Sequence, residues 1–512
     1  MAPYVRKVKT ASGATAVQIA QTVNGRRTIV EHIGSAHTDA ELAALIATAK
    51  SRINAGQEHL DLDLPPMEKV RSAGEAVIAK HSSELLWTTL TDAYQRLGFD
   101  VVDDATFRAL VCARLVEPTS KVDTIRVLDE IGVDPPHLSS IKRALARCVE
   151  RDYRRHLSAA CLAHVTADGG PGVAMVLYDL TTLYFEAEHE DALRKVGMSK
   201  ERRVDPQITV GLLVARNGFP LDLHVFEGNK AETKTLIPVI TGFIERHRIT
   251  DMIVVADAGM LSAANLNALE DAGLKFIVGS RTSKAPKELE EHFGERGNYI
   301  ADNGIVELTR PMGTGQARRD RRVVWHYLWK RDQRDNRTLN AQIERAQRVM
   351  DKDEPLRKQR FVKVTGPQIG LDEQSIQRAR AAAGYKGYVT NIAPTVLDGH
   401  SVVAAYRDLW KVEQSFRMAK SDLRARPIYH RTRDSIEAHL TIVFAALAVA
   451  RDLQQATGMS IKKIVQSLRQ IHTAVIDIDG HHLTARSPPT TTRPRSSTRS
   501  NPGTKEVQLT SG

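Results

Sequence analysis

VLYDLTTLYFE, residues 176–186, decides how the rest of the chain is read. Its branched and aromatic residues spell a buried strand, yet Asp179 stands in the middle. An ionised carboxylate in such a place costs several kcal/mol unless a cation or hydrogen bonds compensate it, so Asp179 predicts a counter-charge nearby. Two further strands follow, ITVGLLVARN (208–217) and PLDLHVFEGN (220–229), then a helix over 233–248 and the strand-like DMIVVADAGM (251–260). SAANLNALEDAGL (262–274) reads as a helix closed by Gly273, and KFIVGSR (275–281) as another strand. The order βββαβαβ predicts an antiparallel three-stranded ribbon joined to parallel crossovers. Asp257 closes the fourth strand where a glycine lets the chain turn. Side chains at strand ends face the crevice beyond such a sheet, so Asp179 and Asp257 converge if the first and fourth strands are neighbours.

Two close carboxylates repel unless a proton or a metal lies between them. Oxygen-only ligands select a hard cation, Mg²⁺ or Mn²⁺, over zinc. A third acid would complete two metal positions about 3.5 to 4 Å apart, a clamp suited to phosphoryl transfer. Many acids qualify, but Glu413 lies in YRDLWKVEQSFRMAKSDLRAR (406–426). On one helix, Arg417, Lys420 and Arg424 follow it at i+4, i+7 and i+11, and Tyr406 and Trp410 precede it at i−7 and i−3. That face would carry two aromatics, a carboxylate and three cations, an arrangement that suits a phosphate backbone led past a metal ion. Taken singly, each acid has an ordinary structural role: Asp179 satisfied by Thr181 and Thr182, Asp257 as a turn residue, Glu413 as the surface partner of Arg417. Their joint order along the chain favours a site.

The bulk numbers agree. The chain has 512 residues, too many for one ordinary core, with 42% hydrophobic and 26% charged residues. Seventy-two Lys and Arg against 61 Asp and Glu give +11, a surplus that favours a polyanionic partner such as nucleic acid. Cys112, Cys148 and Cys161 lack CxxC spacing, which argues against a zinc knuckle or a disulfide framework and fits a reducing cytoplasm. MAPYVRKVKT has no signal-peptide core. The longest apolar run, 440–450, is too short for the ~20 residues of a membrane span. GxxxxGK[ST], HExxH and GxSxG are absent, and GTGQAR (313–318) lacks the third glycine of a dinucleotide loop, so neither ATP use nor these hydrolase chemistries are indicated.

The flanks complete the expected organisation. Residues 1–60 predict a β-hairpin around NGRR and then a helix to Asn54, started by the capping box Thr38/Glu41. Residues 61–170 predict a linker and a helical DNA-binding domain, in which Arg114, Lys121, Arg126, Lys142, Arg143 and Arg147 either face phosphate or belong to ordinary solvated helix faces. The core occupies 171–280 and, with a strand over 387–392 and helices over 400–424 and 434–456, also 386–470. An insertion with the alternating RRVVWHYLWK and two polar helices separates them at 281–385. A Ser-, Thr-, Pro- and Arg-rich segment, 471–512, predicts a disordered tail.

These residues resemble a known family, the DDE transposases of bacterial insertion sequences, in the branch whose RNase H-like core carries a β-rich insertion. Its final helix bears Tyr, two residues, Arg, three residues, Glu, six residues, Lys; here Tyr406, Glu413 and Lys420 match, and Leu409 takes the Arg position. YDLTTLYFE and VADAGM look like the first- and second-acid strands, and 197–207 and FEGNKAET (226–233) like the loops between them. The N-terminal stretches YVRKVKTASGATAVQIA and HIGSAHTDAEL extend the likeness to about residues 1–470.

The resemblance implies that Asp179, Asp257 and Glu413 hold two Mg²⁺ ions, for which Mn²⁺ can substitute. It implies a homodimer that pairs transposon ends on double-stranded DNA, terminal inverted repeats and target included, in the bacterial cytoplasm and at the nucleoid when bound. Tyr406 and Lys420 would contact phosphates, with Arg417 in place of the missing Arg and Arg424 extending the basic face. Trp325 and Trp329 are candidates for stacking on a flipped base, packing against the core being the other role for both. The fold expected is α/β: an RNase H-like mixed sheet flanked by helices and interrupted by an insertion, with an N-terminal β-hairpin and helical DNA-binding segments. Two other functions remain open: a nuclease that cuts without joining, and a DNA-binding relic that has lost catalysis.

Overall fold

The structure, a computed structural model, describes residues 3–10, 13–23, 26–54, 77–167, 175–186, 189–197, 205–249, 251–260, 262–280, 289–290, 292–293, 300–351, 360–365, 368–478 and 481–486. They fall into two compact units, one made of the described residues within 10–13 and 87–466 and the other of those within 1–9, 14–86 and 467–512.

The larger unit is organised by an eight-stranded sheet. Its strands are β1 (Met175–Tyr184), β2 (Gln207–Ala215), β3 (Pro220–Glu227), β4 (Ile253–Ala256), β5 (Lys275–Gly279), β6 (Ile305–Met312), β7 (Arg319–Tyr327) and β8 (Tyr385–Thr390). They lie in the order β6-β7-β8-β5-β4-β1-β2-β3. β1, β2 and β3 are antiparallel neighbours, whereas β1, β4 and β5 run parallel. This is the RNase H-like arrangement the sequence predicts, with the first and fourth strands side by side. Every residue of β2 is buried, which is why it reads as a continuous apolar run rather than an alternating one. The crossovers carry α1 (Leu236–His247) and α2 (Ala263–Asp271). Ser262 caps α2 by accepting from the Asn265 amide at 3.1 Å, and Gly273 supplies the left-handed turn at φ 73° that ends it.

The stretch expected to be an insertion divides in two. β6 and β7 join the main sheet, because β8 bridges β7 to the edge of β5. Only the segment between β7 and β8 forms a satellite: α3 (Trp329–Met350), a short hairpin (Val362–Thr365, Gln368–Leu371) and α4 (Glu373–Ala381) around Leu339, Ala346, Phe361 and Ile376. The expected single helix over 400–424 is also two: α5 (Gly399–Arg407) and α6 (Trp410–Ser421). At the break the amides of Asp408 and Leu409 bond three residues back, to Ala405 and Tyr406. The Asp408 carboxylate holds Lys411 at 2.8 Å and Arg216 at 3.1 Å. α7 (Arg433–Thr457) packs on the helices Ala105–Val116 and Leu138–Glu150, so the helical segment and the sheet share one unit.

In the smaller unit, strands Tyr4–Lys9, Thr15–Val23 and Arg26–Ala36 form an antiparallel meander under the helix Asp39–Asn54, with a core of Val17, Ile19, Leu45 and Ala49. The expected capping box is present: the Glu41 amide donates to Thr38 Oγ1 at 3.3 Å and the Thr38 amide to Glu41 Oε2 at 3.2 Å. The tail does not begin at 471. Thr473–Ile478 and His481–Arg486 are strands, the first paired with Val77–Ser82. The linker over 56–69 and residues 487–512 lie outside the described residues. Among the described residues no helix is long and apolar enough to cross a membrane.

Candidate functional site

β1 and β4 are parallel and in register, Tyr178 opposite Ala256. Asp179 follows Tyr178 within β1 and Asp257 follows Ala256 just past the end of β4, so the two acids come directly after a paired position on adjacent parallel strands. Asp179 is half-buried and Asp257 exposed. Asp179 opens into a cleft of about 400 Å³ whose other wall is α6, with Glu413, Phe416, Arg417 and Lys420, and with Arg426 just beyond. The cations that share this cleft with Asp179 are Arg417, Lys420 and Arg426. Arg426 also rests its guanidinium 5.4 Å from the centre of the Tyr184 ring, at the end of β1.

Asp257 does not line that cleft. Its Oδ1 accepts a 2.7 Å hydrogen bond from Tyr406 Oη, and Tyr406 is buried, its ring edge-on to Tyr388 at 4.8 Å. Burial, followed by the charge of Asp257, pushes the Tyr406 phenol well above its ordinary value, so it stays a neutral donor. Gly279 makes the contact possible: a Cβ there would lie 2.5 Å from Tyr406 Oη and 3.1 Å from Cζ. If Asp257 serves as a metal ligand, Tyr406→Phe should lower catalysis about 10- to 100-fold, the usual cost of losing a group that orients such a ligand. The melting temperature should shift by little, because the carboxylate it releases is exposed. Single-turnover cleavage rates beside thermal melts check this, and Gly279→Ala, which displaces the ring, should reproduce the loss.

Sequence reasoning missed two neighbours of these acids. Lys386, on β8, places Nζ 4.6 Å from the centre of the Tyr406 ring. Burial and Arg331 lower its pKa, while the charges of Asp257 and Glu413 oppose that shift. Alternation along a short strand gave no sign of it. The other is Glu232, in the turn after β3, whose carboxylate abuts Gly259 two residues beyond Asp257. FEGNKAET marked this turn but did not single out the acid.

Among the described residues, no three His, Cys, Asp or Glu side chains stand together as a ready metal cluster. Asp179 and Glu413 line one cleft, and Asp257 is tied to Tyr406 beside it. The donor chemistry fits a hard divalent cation, since only oxygens are offered. Asp257 and Glu413 are exposed and can turn without repacking the core.

The remaining predicted residues separate. Leu409, at the position where the signature has Arg, is buried, and Arg407 is exposed. Arg424 lies past the end of α6 with φ 44° and lines a different cleft, so it is not on the Glu413 face. Trp325 is fully buried in β7 beneath Gly387 of β8 and has no face open to a base. Trp329 is not on that strand: its amide donates to Asp302 at 2.7 Å as α3 begins, and its side chain is 54% exposed.

A mixed sheet with one acid inside a strand, a second just past the end of the parallel neighbour and a third on a helix across the cleft has the arrangement of an RNase H-like α/β protein. Residues 176–449, more than half of the chain and spanning all three acids, match the model of the transposase DDE domain, and the chain belongs to that family. Among solved structures it is similar to the cryo-EM structure of a piggyBac transposase synaptic complex with hairpin DNA. The identity there is 11% and the TM-score 0.38, over 74% of this chain and 70% of that one. No curated protein matches the sequence.

Proposed function

We propose that the chain is the transposase of a bacterial insertion sequence, in the branch marked by the Tyr-Arg-Glu-Lys signature. It would bind the terminal inverted repeats and target DNA as a homodimer and act in the cytoplasm, at the nucleoid when bound. The observation that carries this reading is that Asp179 and Asp257 directly follow the paired Tyr178 and Ala256 of two parallel neighbours, with Glu413 across the cleft from the first.

Asp179, Asp257 and Glu413 would hold two Mg²⁺ ions, or Mn²⁺, which when bound supply Lewis-acid activation of a water or 3′-OH and neutralise charge on the phosphate. Around them the chain's own groups position and neutralise. Arg417 and Lys420 line the cleft beside the acids and suit a scissile phosphate. Tyr406 fixes the Asp257 carboxylate. Trp329, exposed at the start of α3, is the stacking candidate that remains. Exchange of phosphodiesters needs positioning and charge neutralisation rather than ATP or a covalent protein intermediate.

A strand-transfer assay with Mg²⁺ and a pre-cleaved element end tests the reading. Joined product is expected. Cutting of an uncut end without joining would make the chain a nuclease, and binding with neither step would make it a relic, as the missing signature Arg allows.

A further inference from the structure

A second cleft, of about 720 Å³, opens between the helices Ala105–Val116 and Leu138–Glu150, the segment after α6 and the middle of α7. Arg114, Lys121, Arg424 and Arg426 line it, beside His430 and His439. The one carboxylate among its described lining residues, Glu117, is spent: it is buried and accepts from Arg126 Nη2 at 2.7 Å. Among the described residues Arg114, Lys121 and Arg424 form no ion pair with any acid. Elsewhere in this unit other sheltered arginines have partners: Arg321 meets Glu270, Arg322 meets Glu307 and Arg154 meets Glu437, while Arg451 and Arg331 donate to neutral oxygens. Gathering unmatched cations in a partly desolvated cleft is costly, and an anion from outside the chain relieves the cost.

The histidines do not supply that anion and do not add to the charge. Arg114 Nη2 lies 3.1 Å from His439 Nδ1. A guanidinium only donates, so Nδ1 accepts and the imidazole is neutral, with Nε2–H donating to the Ala425 carbonyl at 3.2 Å. His430, whose ring is 5.0 Å from that of His439, is held down to about 4 by burial, Lys121 and Arg114. Burial brings Arg114 itself down to about 10, which leaves it a full cation at neutral pH.

Arg426 also lines the acid cleft of Asp179 and Glu413, so the two clefts share one residue. Tyr429, 75% exposed, stands at the rim and offers a ring for a sugar or base beside the held group. We propose that this cleft grips a backbone phosphate of the same DNA strand whose neighbouring phosphodiester lies at Asp179, through Arg114, Lys121 and Arg424. The assignment rests on the functional reading above and extends it to a strand path across the helical segment.

Neutral methylphosphonate linkages, placed one at a time along an end-labelled DNA strand, test it by anisotropy over a salt series. Wild type should lose affinity at one or two linkages away from the cleavage position. Lys121→Gln/Arg424→Gln should be insensitive at those same linkages, and its plot of log affinity against log salt should flatten by about one for each phosphate no longer neutralised. Arg114→Gln should behave alike, and if it fails to fold the surface pair carries the test. Inorganic phosphate is the second arm. If phosphate raises the melting temperature of wild type but not of the pair, while the pair keeps wild-type methylphosphonate sensitivity and slope, the cleft takes free phosphate and the DNA assignment falls. Unchanged sensitivity and slope without a phosphate effect overturn it too. Absence of any DNA binding by wild type overturns instead the functional reading on which it rests.

Discussion

On the proposed function, Asp179→Asn, Asp257→Asn and Glu413→Gln are each expected to slow strand cleavage assayed with Mg²⁺ about a thousandfold or more, equivalent to about 4 kcal/mol of barrier. Binding of element ends should stay nearly unchanged. The amides keep size and most hydrogen bonding, so what they remove is charge, and charge is what a hard cation requires from its ligands. Folding should not suffer: Asp257 and Glu413 are exposed, and surface changes of this kind stay within about 0.5 kcal/mol. At Asp179 the amide even removes the cost of burying a charge within β1. Because the three would act as one unit, any double variant should be about as slow as the slowest single one. Cleavage of a radiolabelled end under single-turnover conditions, beside a gel-shift assay, decides it. A variant that cuts at wild-type rate removes its residue from the site.

What the sequence made legible was local or periodic. β1 to β5 were readable because apolar runs, turn glycines and helical spacing alternate cleanly from 175 to 279, and the element order then places Asp179 beside Asp257. Thr38 and Glu41 were readable because a capping box is satisfied within four residues. The failures share another physical origin. Helical spacing assumes an unbroken helix, but the three-residue backbone bonds at Asp408 and Leu409 part Tyr406 from Glu413, and Arg424 falls past the end of α6. Tyr406 thereby reaches Asp257, while Glu413 faces Asp179. The strand Thr473–Ile478 pairs with Val77–Ser82 from almost the other end of the chain, a partnership that composition near residue 473 cannot announce. Lys386 and Glu232 gain their importance from neighbours far away in sequence, so no motif marks them.

Trp325→Ala should cost about 3 to 5 kcal/mol of stability, the range for removing a large aromatic from a core, whereas Trp329→Ala should cost within about 0.5 kcal/mol. The two tryptophans sit four residues apart and look equivalent in VVWHYLW, yet the backbone changes state between them. β7 ends at Tyr327 and α3 starts at Trp329, so the alternation that would align the two rings stops. Trp325 is fully buried opposite Gly387, where an added Cβ would strike its ring. The glycine and the indole fill one space, and neither can leave it to stack on a base. Trp329 keeps half of its surface open and bears no such burden. Thermal melts separate the stabilities, and 2-aminopurine at the terminal base of a hairpin end separates the roles. Trp329→Ala should restore the fluorescence that stacking quenches, with its melting temperature unchanged. Were Trp325→Ala instead to leave melting untouched and abolish the quenching, the packing of β7 against β8 in this sheet would have to be abandoned.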